Sequence, residues 1–371
     1  MVVLIGGLTT PLAACPFCTA LAPSLAQWRE QAVVVALVEV DVRSAERQTD
    51  VIVHRVIKGS ARLGTAAKLQ LSLDVDAKPG SLLLIFGTAG NEGDELSWHA
   101  VAVNEASYAY FMRIPSLKTA NSERLRYFAR YLEHDEPLVA EDAYLEFGHA
   151  PFDEVARVAD ALPMSRMRAW VGEARVPQTH KGLYGLALGL PADAETRGAN
   201  QQSLERLIMA PADDFRAGFD GVLGGYLLLA GDKGLALVES RYLANPKAAD
   251  GDVRHAQTAL RFYWEYGHDI PPTRLCQAMR RLLAREEFAA SAATDLARWK
   301  DWTAIDQVAA LYNRAGSNSA ATRRAVVGYL TSCPQVGARA ALTELRRLDP
   351  QGVAAAEHVL SRTTDAPPVS Q

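Results

Sequence analysis

An amphipathic helix at residues 252–266, DVRHAQTALRFYWEY, is the feature that most constrains how this chain folds. Its apolar residues recur three, four and seven positions apart, which places them on one stripe of a helix. They are Val253, Ala256, Ala259, Leu260, Tyr263 and Trp264. The polar side carries Arg254, His255, Gln257, Thr258 and Arg261. A second apolar stripe follows a turn at 267–272, and two such helices cannot bury both faces alone. The pair therefore predicts neighbours on each side.

Similar pairs recur along the C-terminal two thirds of the chain. The first helices are predicted at 139–148, 179–189, 217–229, 253–266, 288–302 and 322–333. The second helices are predicted at 154–162, 203–209, 235–243, 275–284, 304–312 and 338–348. Their period of about 32–41 residues is typical of helical-pair arrays. The sequence predicts an all-α array of about six pairs over 122–362, followed by a disordered tail at 363–371.

The best copy of this unit resembles the first helix of a HEAT-like repeat. The resemblance rests on Asp252, Val253, Arg254, Ala256, Ala259 and Leu260. A looser copy, ATRRAVVGYL, lies at 321–330, with Arg323 and Arg324 near the arginine position. HEAT-like arrays are α-solenoids that generally act as curved binding scaffolds, so the resemblance implies a surface for partners.

Short strands precede the helices. Alternating or β-branched runs lie at 33–42, 50–58, 68–73, 82–86 and 97–103, and a run at 108–114 is predicted to close the set. Such spacing predicts a small β-barrel or sandwich over 32–115. The run of a cysteine segment, VVVALVEV and VIVHRVIKG is similar to the opening of netrin-like modules, including the tissue inhibitors of metalloproteinases, which are OB-type barrels. The fold class is therefore β plus α, an OB-like domain followed by a HEAT-like solenoid.

The N-terminal segment has the character of an export signal. Residues 1–14 carry the apolar core VVLIGGL and end in LAA before Cys15, which is typical of a signal remnant. LAAC at 12–15 also resembles the lipobox of bacterial lipoproteins, which implies a lipid anchor at Cys15. The whole layout resembles a group of uncharacterised exported bacterial proteins that carry CPFC near the N-terminus.

CPFC, at 15–18, is the one motif that bears chemistry, and it precedes a short helix predicted within 19–31. Cys15 and Cys18 are a disulfide candidate; in a redox enzyme Cys15 is the nucleophile and Cys18 the resolving thiol. A glutaredoxin is locally similar, but no proline lies between Pro23 and Pro79 to supply its cis-Pro loop. The netrin-like resemblance implies instead that Cys15, as a free N-terminus, chelates a protease zinc. This chain has C-x-x-C rather than the C-x-C of those inhibitors and lacks their further cysteines. No second Cys/His pair stands at metal-ligand spacing, and no metal or cofactor is predicted.

Net charge and hydropathy argue against two classes of function, nucleic-acid binding and membrane spanning. The net charge is −4 and no basic run exceeds two residues, which argues against a nucleic-acid footprint. No stretch approaches the ~18 apolar residues of a membrane-spanning helix.

Cys276 and Cys333 sit on apolar stripes and are interpreted as buried hydrophobic residues. Two glycine groups lack the Lys-Ser/Thr of a phosphate loop and indicate close helix packing. They are Gly182, Gly185 and Gly189, and Gly221, Gly224 and Gly225.

The aromatic cluster at 262–266 indicates where a partner binds. Side chains 100° apart around a helix diverge, so Phe262 or Tyr266 is expected at the surface as a partner contact. The leading hypothesis is an exported, non-enzymatic scaffold that binds a protein or a cell-envelope ligand. The alternatives are a thiol–disulfide oxidoreductase using CPFC and a protease-inhibitor-like module.

Overall fold

A computed structural model describes residues 21–43, 48–63, 68–72, 76–90, 96–190, 193–211, 216–314 and 319–365. The chain divides into two compact units, Met1–Pro163 and Met164–Gln371. The first contains the whole β-sheet together with the helices up to residue 157. The predicted change from strands to helices near 115 falls inside this unit.

The first unit is built on a curled, five-stranded antiparallel sheet. Its strands are β1 (Val34–Arg43), β2 (Thr49–Lys58), β3 (Lys68–Leu71), β4 (Leu82–Ala89) and β5 (Leu96–Ala102). The order across the sheet is β3-β2-β1-β4-β5, so β1 lies at the centre between β2 and β4. The five strands predicted from alternation up to residue 103 are confirmed.

Both faces of the central strands are buried, which explains the unbroken apolar runs in β1 and β4. One face forms a core with the neighbouring strands, made of Ala36, Val38, Val40, Val51, Leu71, Leu83 and Ile85. On the other face, the Phe86 ring meets the ring of Phe111 edge-on at 5.8 Å and lies 6.2 Å from that of Trp28. A strand that is buried on both sides needs apolar residues at every position rather than at alternate ones.

The sixth strand predicted at 108–114 is wrong, because this segment forms a helix, α3 (Glu105–Phe111). Asn104 caps its N-terminus by accepting a hydrogen bond from the Ser107 backbone N–H at 2.9 Å, and the Ser107 side chain caps the Asn104 N–H in return. Tyr110 and Phe111 then turn inward together. The capping box fixes a helix where the short aromatic run by itself is compatible with a strand.

The remaining helices of the first unit are α1 (Leu25–Gln31), α2 (Ser60–Leu63), α4 (Asn121–Phe128), α5 (Pro137–His149) and α6 (Phe152–Arg157). Those of the second unit are α7 (Met164–Trp170), α8 (Gln178–Leu188), α9 (Ala194–Met209), α10 (Phe219–Val238), α11 (Asp250–Tyr266), α12 (Pro272–Arg280), α13 (Glu286–Arg298), α14 (Ile305–Ala310), α15 (Ala320–Ser332), α16 (Val336–Leu348) and α17 (Pro350–Asp365). A π-helical turn, Glu239–Leu243, follows α10, and 3₁₀ turns extend α12 and α14.

Hydrogen bonds between helices of the second unit join residues at nearly constant separations along the chain. Arg168 bonds Asn200 across 32 residues, Arg216 bonds Asp252 across 36, and Gln257 bonds Ser291 across 34. The Tyr312 hydroxyl donates to Asp349 across 37 residues. These four bonds thus join segments about one predicted period apart.

Glycines allow the closest of these helix contacts, between α8 and α10. A Cβ atom on Gly221 would lie 2.1 Å from the carbonyl oxygen of Gly182, and one on Gly225 would lie 2.0 Å from that of Gly185. The interpretation of these glycines as packing residues is confirmed. They also repeat: Gly218, Gly221 and Gly225 each follow Gly182, Gly185 and Gly189 by 36 residues.

The first and second helices of the third predicted pair both lie within α10 and the π-helical turn that follows it, and they meet at a kink. Gly231 breaks the regular geometry of α10 with a φ of 55°. Within the described part of the chain, the stretch Phe219–Leu243 is the one helix long and apolar enough to cross a membrane by length and composition. More than half of it is buried against neighbouring helices. Packing on α8, α9 and α11 accounts for its apolar character.

Candidate functional site

The chain emerges from the CPFC region directly onto a buried polar cluster. Cys15 and Cys18 themselves lie outside the described residues, so the disulfide, redox, lipid-anchor and inhibitor predictions for them stay predictions. Among the described residues, Ala22 lies four positions after Cys18. Here the Nε2 atom of His149 lies 2.9 Å from the Ala22 carbonyl oxygen.

Two carboxylates of α5 hold the start of α1. The Leu25 backbone N–H donates to Asp142 Oδ1 at 2.6 Å, and the Ser24 hydroxyl donates to Glu146 Oε1 at 2.6 Å. Asp142, Glu146 and His149 are spaced four and three residues apart, so they share one face of α5. The first N–H groups of a helix have no partner within it, and here a distant helix supplies one.

The two acids are buried, 2% exposed at Asp142 and 5% at Glu146. Arg124 of α4 forms an ion pair with Glu146, and the Tyr110 hydroxyl of α3 donates to Asp142 Oδ2 at 2.7 Å. Burial raises the pKa of Asp142 to about 7, although the hydrogen bonds from the Leu25 N–H and Tyr110 act to lower it. The cluster therefore exchanges a proton near neutral pH, which an ordinary aspartate does not.

A small enclosed cavity of about 120 Å³ adjoins the cluster. Its lining comprises Gln27, Leu117, Asn121, Arg124, Leu125, Glu146, His149 and Ala150. The volume is sufficient for a few water molecules. It lies between α1, α4 and α5, beside the contacts that hold residues 22–25.

A second polar site, the arginine cleft, lies in the other unit. It is a cleft of about 350 Å³ lined by Glu239, Arg274, Gln277, Arg280, Arg281 and Gln307. The π-helical turn contributes Glu239, α12 and its 3₁₀ extension contribute the arginines and Gln277, and α14 contributes Gln307. The second helices of three successive pairs thus build one cleft whose lining is entirely polar.

Carboxylates hold two of the three arginines of the arginine cleft. Arg274 forms ion pairs with Glu239 and, at 3.0 Å, with Asp232, while Arg280 lies 2.8 Å from Asp301. Of these three carboxylates, Glu239 is the one that lines the cleft. Arg281 is the least engaged, at 3.9 Å from Glu239 with 64% of its side chain exposed.

The partner-contact predictions for Phe262 and Tyr266, two of the aromatic residues of α11, have different outcomes. Phe262 is 2% exposed, so the expectation that it reaches the surface is wrong. Tyr266 is half-buried and its ring lies 5.3 Å from that of Phe262. Phe262 is buried because helices pack against α11 on more than one side, which a single apolar stripe does not reveal. Binding of a partner at Tyr266 stays a prediction.

The polar side of α11 is also not a solvent face. Gln257 is buried and donates to Ser291 and Asp295 of α13, both at 3.0 Å, and Arg261 Nε donates to Asp295 at 2.8 Å. His255 is buried too, 3.6 Å from Asp220 of α10. These residues join α11 to its neighbours by polar contacts.

Sequence reasoning missed both polar sites. Asp142 and Glu146 fall within the apolar segment predicted at 139–148, where two acids four residues apart on a buried helix were the available signal. The cluster of Arg274, Arg280 and Arg281 was visible as a basic helix, but its charge partners lie in other pairs. Cys276 and Cys333 are buried and unpaired, as predicted. Within the described ranges, no three His, Cys, Asp or Glu side chains are grouped so as to hold a metal ion.

Comparisons with known proteins assign no family to this chain. No protein-family model matches it, and no curated protein matches it at a significant level.

Proposed function

We propose that this protein is an exported, non-enzymatic scaffold whose HEAT-like helical array binds an acidic segment of a partner protein in the arginine cleft. The observation that carries the proposal is the construction of the cleft by three successive helix pairs. Repeat arrays characteristically bind in this way, because neighbouring units place side chains side by side on a continuous surface.

The contacts at nearly constant separation support the HEAT-like interpretation. Each repeat in such an array contacts its neighbours only, which produces hydrogen bonds one period apart. The bonds across 32 to 37 residues in the second unit, and the glycines repeated at 36, have this property.

The topology of the sheet supports the OB-like interpretation of the first unit. OB-folds are five-stranded, partly open Greek-key barrels. A curled sheet with β1 between β2 and β4 is compatible with that arrangement. Export, by contrast, rests on the sequence of residues 1–15 alone.

The chemistry of the arginine cleft favours an acidic ligand. A guanidinium group presents several donors in a planar fork that matches a carboxylate, and arginine is favoured where such groups are recognised. Arg281 is the arginine of the cleft least engaged by carboxylates of the chain, so it is the group that a negative charge of a ligand is expected to meet. Gln277 and Gln307 add side-chain amides that hydrogen-bond in either direction.

The test is binding of a fluorescein-labelled hexaglutamate peptide to the full chain, measured by fluorescence anisotropy at low and physiological salt. We expect binding that weakens with salt and no binding of a matched hexaglutamine peptide. Arg281→Gln is expected to weaken binding by about tenfold, because a hydrogen bond to a charged group is lost from an exposed side chain that holds little of the fold together. Arg347→Gln, at an exposed arginine bonded to Glu344 of its own helix, is the matched control.

Two outcomes would contradict the proposal. Equal weakening by Arg281→Gln and Arg347→Gln would show that the peptide follows overall charge and not the cleft. Binding of polyphosphate but not of hexaglutamate, lost in Arg281→Gln, would assign the cleft to a phosphate-bearing ligand such as an envelope polymer.

A further inference from the structure

Strand β5 ends the sheet on one side, and its outer edge carries backbone groups without partners. Its one neighbour in the sheet is β4, and just beyond the strand the Val103 N–H donates to the Leu82 carbonyl oxygen at 3.0 Å. Hydrogen-bonded pairs alternate along an antiparallel ladder, and the β4–β5 register has no shift. Every second residue of β5 therefore directs its N–H and C=O away from β4, namely Leu96, Trp98, Ala100 and Ala102. Within the described ranges, no hydrogen bond reaches these outward groups.

We propose that β5 is a homodimer interface, at which a second copy of this chain adds its own β5 antiparallel across a twofold axis. A strand edge with free N–H and C=O groups is a template for one more strand. An antiparallel pair of identical strands is self-complementary, as a twofold interface requires. The two sheets then form one continuous antiparallel sheet.

Strand β5 lacks the features that keep an edge strand unpaired. Soluble proteins protect their edges with very short strands, charged side chains, proline or a bulge. β5 has seven residues, contains no charged residue and no proline, and pairs with β4 without a bulge. None of its residues is fully buried. The opposite edge strand, β3, has four residues and carries Lys68, which forms an ion pair with Asp41.

The positions of the outward groups select the register of the dimer. With His99 on the twofold axis, Trp98 lies opposite Ala100 of the second copy and Leu96 lies opposite Ala102. Each such pair exchanges two backbone hydrogen bonds, and each large side chain meets a small one. Moving the axis to Trp98 or to Ala100 leaves Ala102 or Leu96 beyond the end of the facing strand. The register centred on His99 is thus the one that pairs all four outward residues.

No like charges meet in this register. Ser97 lies opposite Val101 of the second copy, and the two His99 side chains are neighbours at the axis. In its own chain the His99 ring stacks on Trp28 with the ring centroids 4.1 Å apart. Burial lowers the pKa of His99 below its ordinary value, so both rings are neutral at neutral pH. The repulsion that destabilises like charges on facing strands is therefore absent.

The first test is the mass of the full chain by light scattering after size exclusion, over a range of protein concentrations. A reductant is present so that Cys15 and Cys18 cannot link two copies. We expect twice the mass of one chain at high concentration and a decline toward the mass of one chain on dilution. The mass of a single chain at every concentration would overturn the proposal.

Hydrogen exchange of the same samples locates the interface. The outward amides of Trp98 and Ala100 should be protected in the dimer and should lose that protection on dilution. The amides of His99 and Val101 point toward β4 and should be protected in both states. Protection of the outward amides in the monomer would show that another segment of this chain covers the edge, and would overturn the proposal.

Variants identify the strand. Ala100→Pro removes an outward N–H and leaves the bonds to β4, and an edge strand tolerates proline, so we expect dimer affinity to fall by about tenfold or more. Should that variant not fold, Ser97→Lys serves in its place, because it puts a charge on the exposed edge. Gln70→Lys, at an exposed position of β3, is the matched control and should leave the dimer unchanged. Protection of the Val40 amide, which donates to the Ser81 carbonyl oxygen, reports that the sheet is intact. A dimer that survives the β5 variants, or that Gln70→Lys weakens equally, contradicts the assignment.

Discussion

The backbone N–H of Leu25 donates a hydrogen bond of 2.6 Å to the Asp142 carboxylate, which lies 117 residues further along the chain. This bond ties α1 to α5, a helix that follows the sheet in the chain. It satisfies one of the free N–H groups at the start of α1, and it places an acid where water does not reach. A single contact thus serves the architecture and makes the first unit sensitive to protons.

The stability of the first unit should fall as pH rises. The folded pKa of Asp142, about 7, lies above its ordinary value of 3.8. The proton therefore stabilises the fold fully below about pH 4, and this contribution is lost as pH rises through 7. Urea denaturation between pH 5 and pH 8 should show a free energy of unfolding that declines by up to about 1.4 kcal/mol per pH unit below 7 and then levels off. Asp142→Asn should remove this decline; a decline of equal size in that variant would place its origin in another group.

The glycine contact between α8 and α10 should not tolerate a methyl group. Gly221→Ala places a Cβ atom against the Gly182 carbonyl at a distance where backbone must shift, so we expect a loss of about 2 kcal/mol or more in the free energy of unfolding. Gly198→Ala, on the exposed side of α9 with open space around it, is the matched control. Alanine favours a helix there, and thermal unfolding should show a gain of about 0.5–1 kcal/mol. Equal effects at the two positions would contradict the close approach.

The buried Asp295 should matter far more than an exposed acid on the same helix. Asp295 is 1% exposed and accepts from Gln257 and Arg261 of α11, so Asp295→Ala removes the buried acceptor of both hydrogen bonds. We expect a loss of about 2 kcal/mol by urea denaturation. Glu287→Gln removes an exposed pair with Arg254 on the same pair of helices and should cost about 0.5 kcal/mol or less. Similar losses from the two variants would show that α11 and α13 do not depend on the buried network.

The two described cysteines should be unreactive in the native protein. Burial raises the pKa of Cys276 to about 11, with the Asp301 carboxylate adding to the effect, and Cys333 is buried as well. A Cys15→Ser/Cys18→Ser variant should therefore show no fast thiol toward Ellman's reagent until denaturant is added, and then two. A fast native thiol in that variant would mean that Cys276 or Cys333 is accessible.

The same measurement then reports on CPFC in the unmodified chain. With Cys276 and Cys333 silent, two fast native thiols would identify reduced Cys15 and Cys18. Their absence, followed by their recovery with a reductant, would identify the predicted disulfide.

Local patterns were sufficient to predict most of the elements. The β-branched runs predicted β1 to β5 with nearly correct bounds. Both alternation and the apolar runs of strands buried on two faces are visible in consecutive residues. Segment 108–114 was predicted wrongly because the signal that decides it, the Asn104–Ser107 capping box, stands outside the aromatic run. Periodicity also located most of the predicted helices.

By itself the sequence determined the order of β-sheet and helices, since this order follows from the spacing of residues a few positions apart. Only the tertiary structure decided which polar residues are buried and which residues they contact. The polar side of α11 meets α13, Phe262 is enclosed, and Asp142 holds Leu25. The reason is physical: a helix has one apolar stripe in its sequence but several neighbours in space, and a buried charge is stable only where distant segments supply its partners.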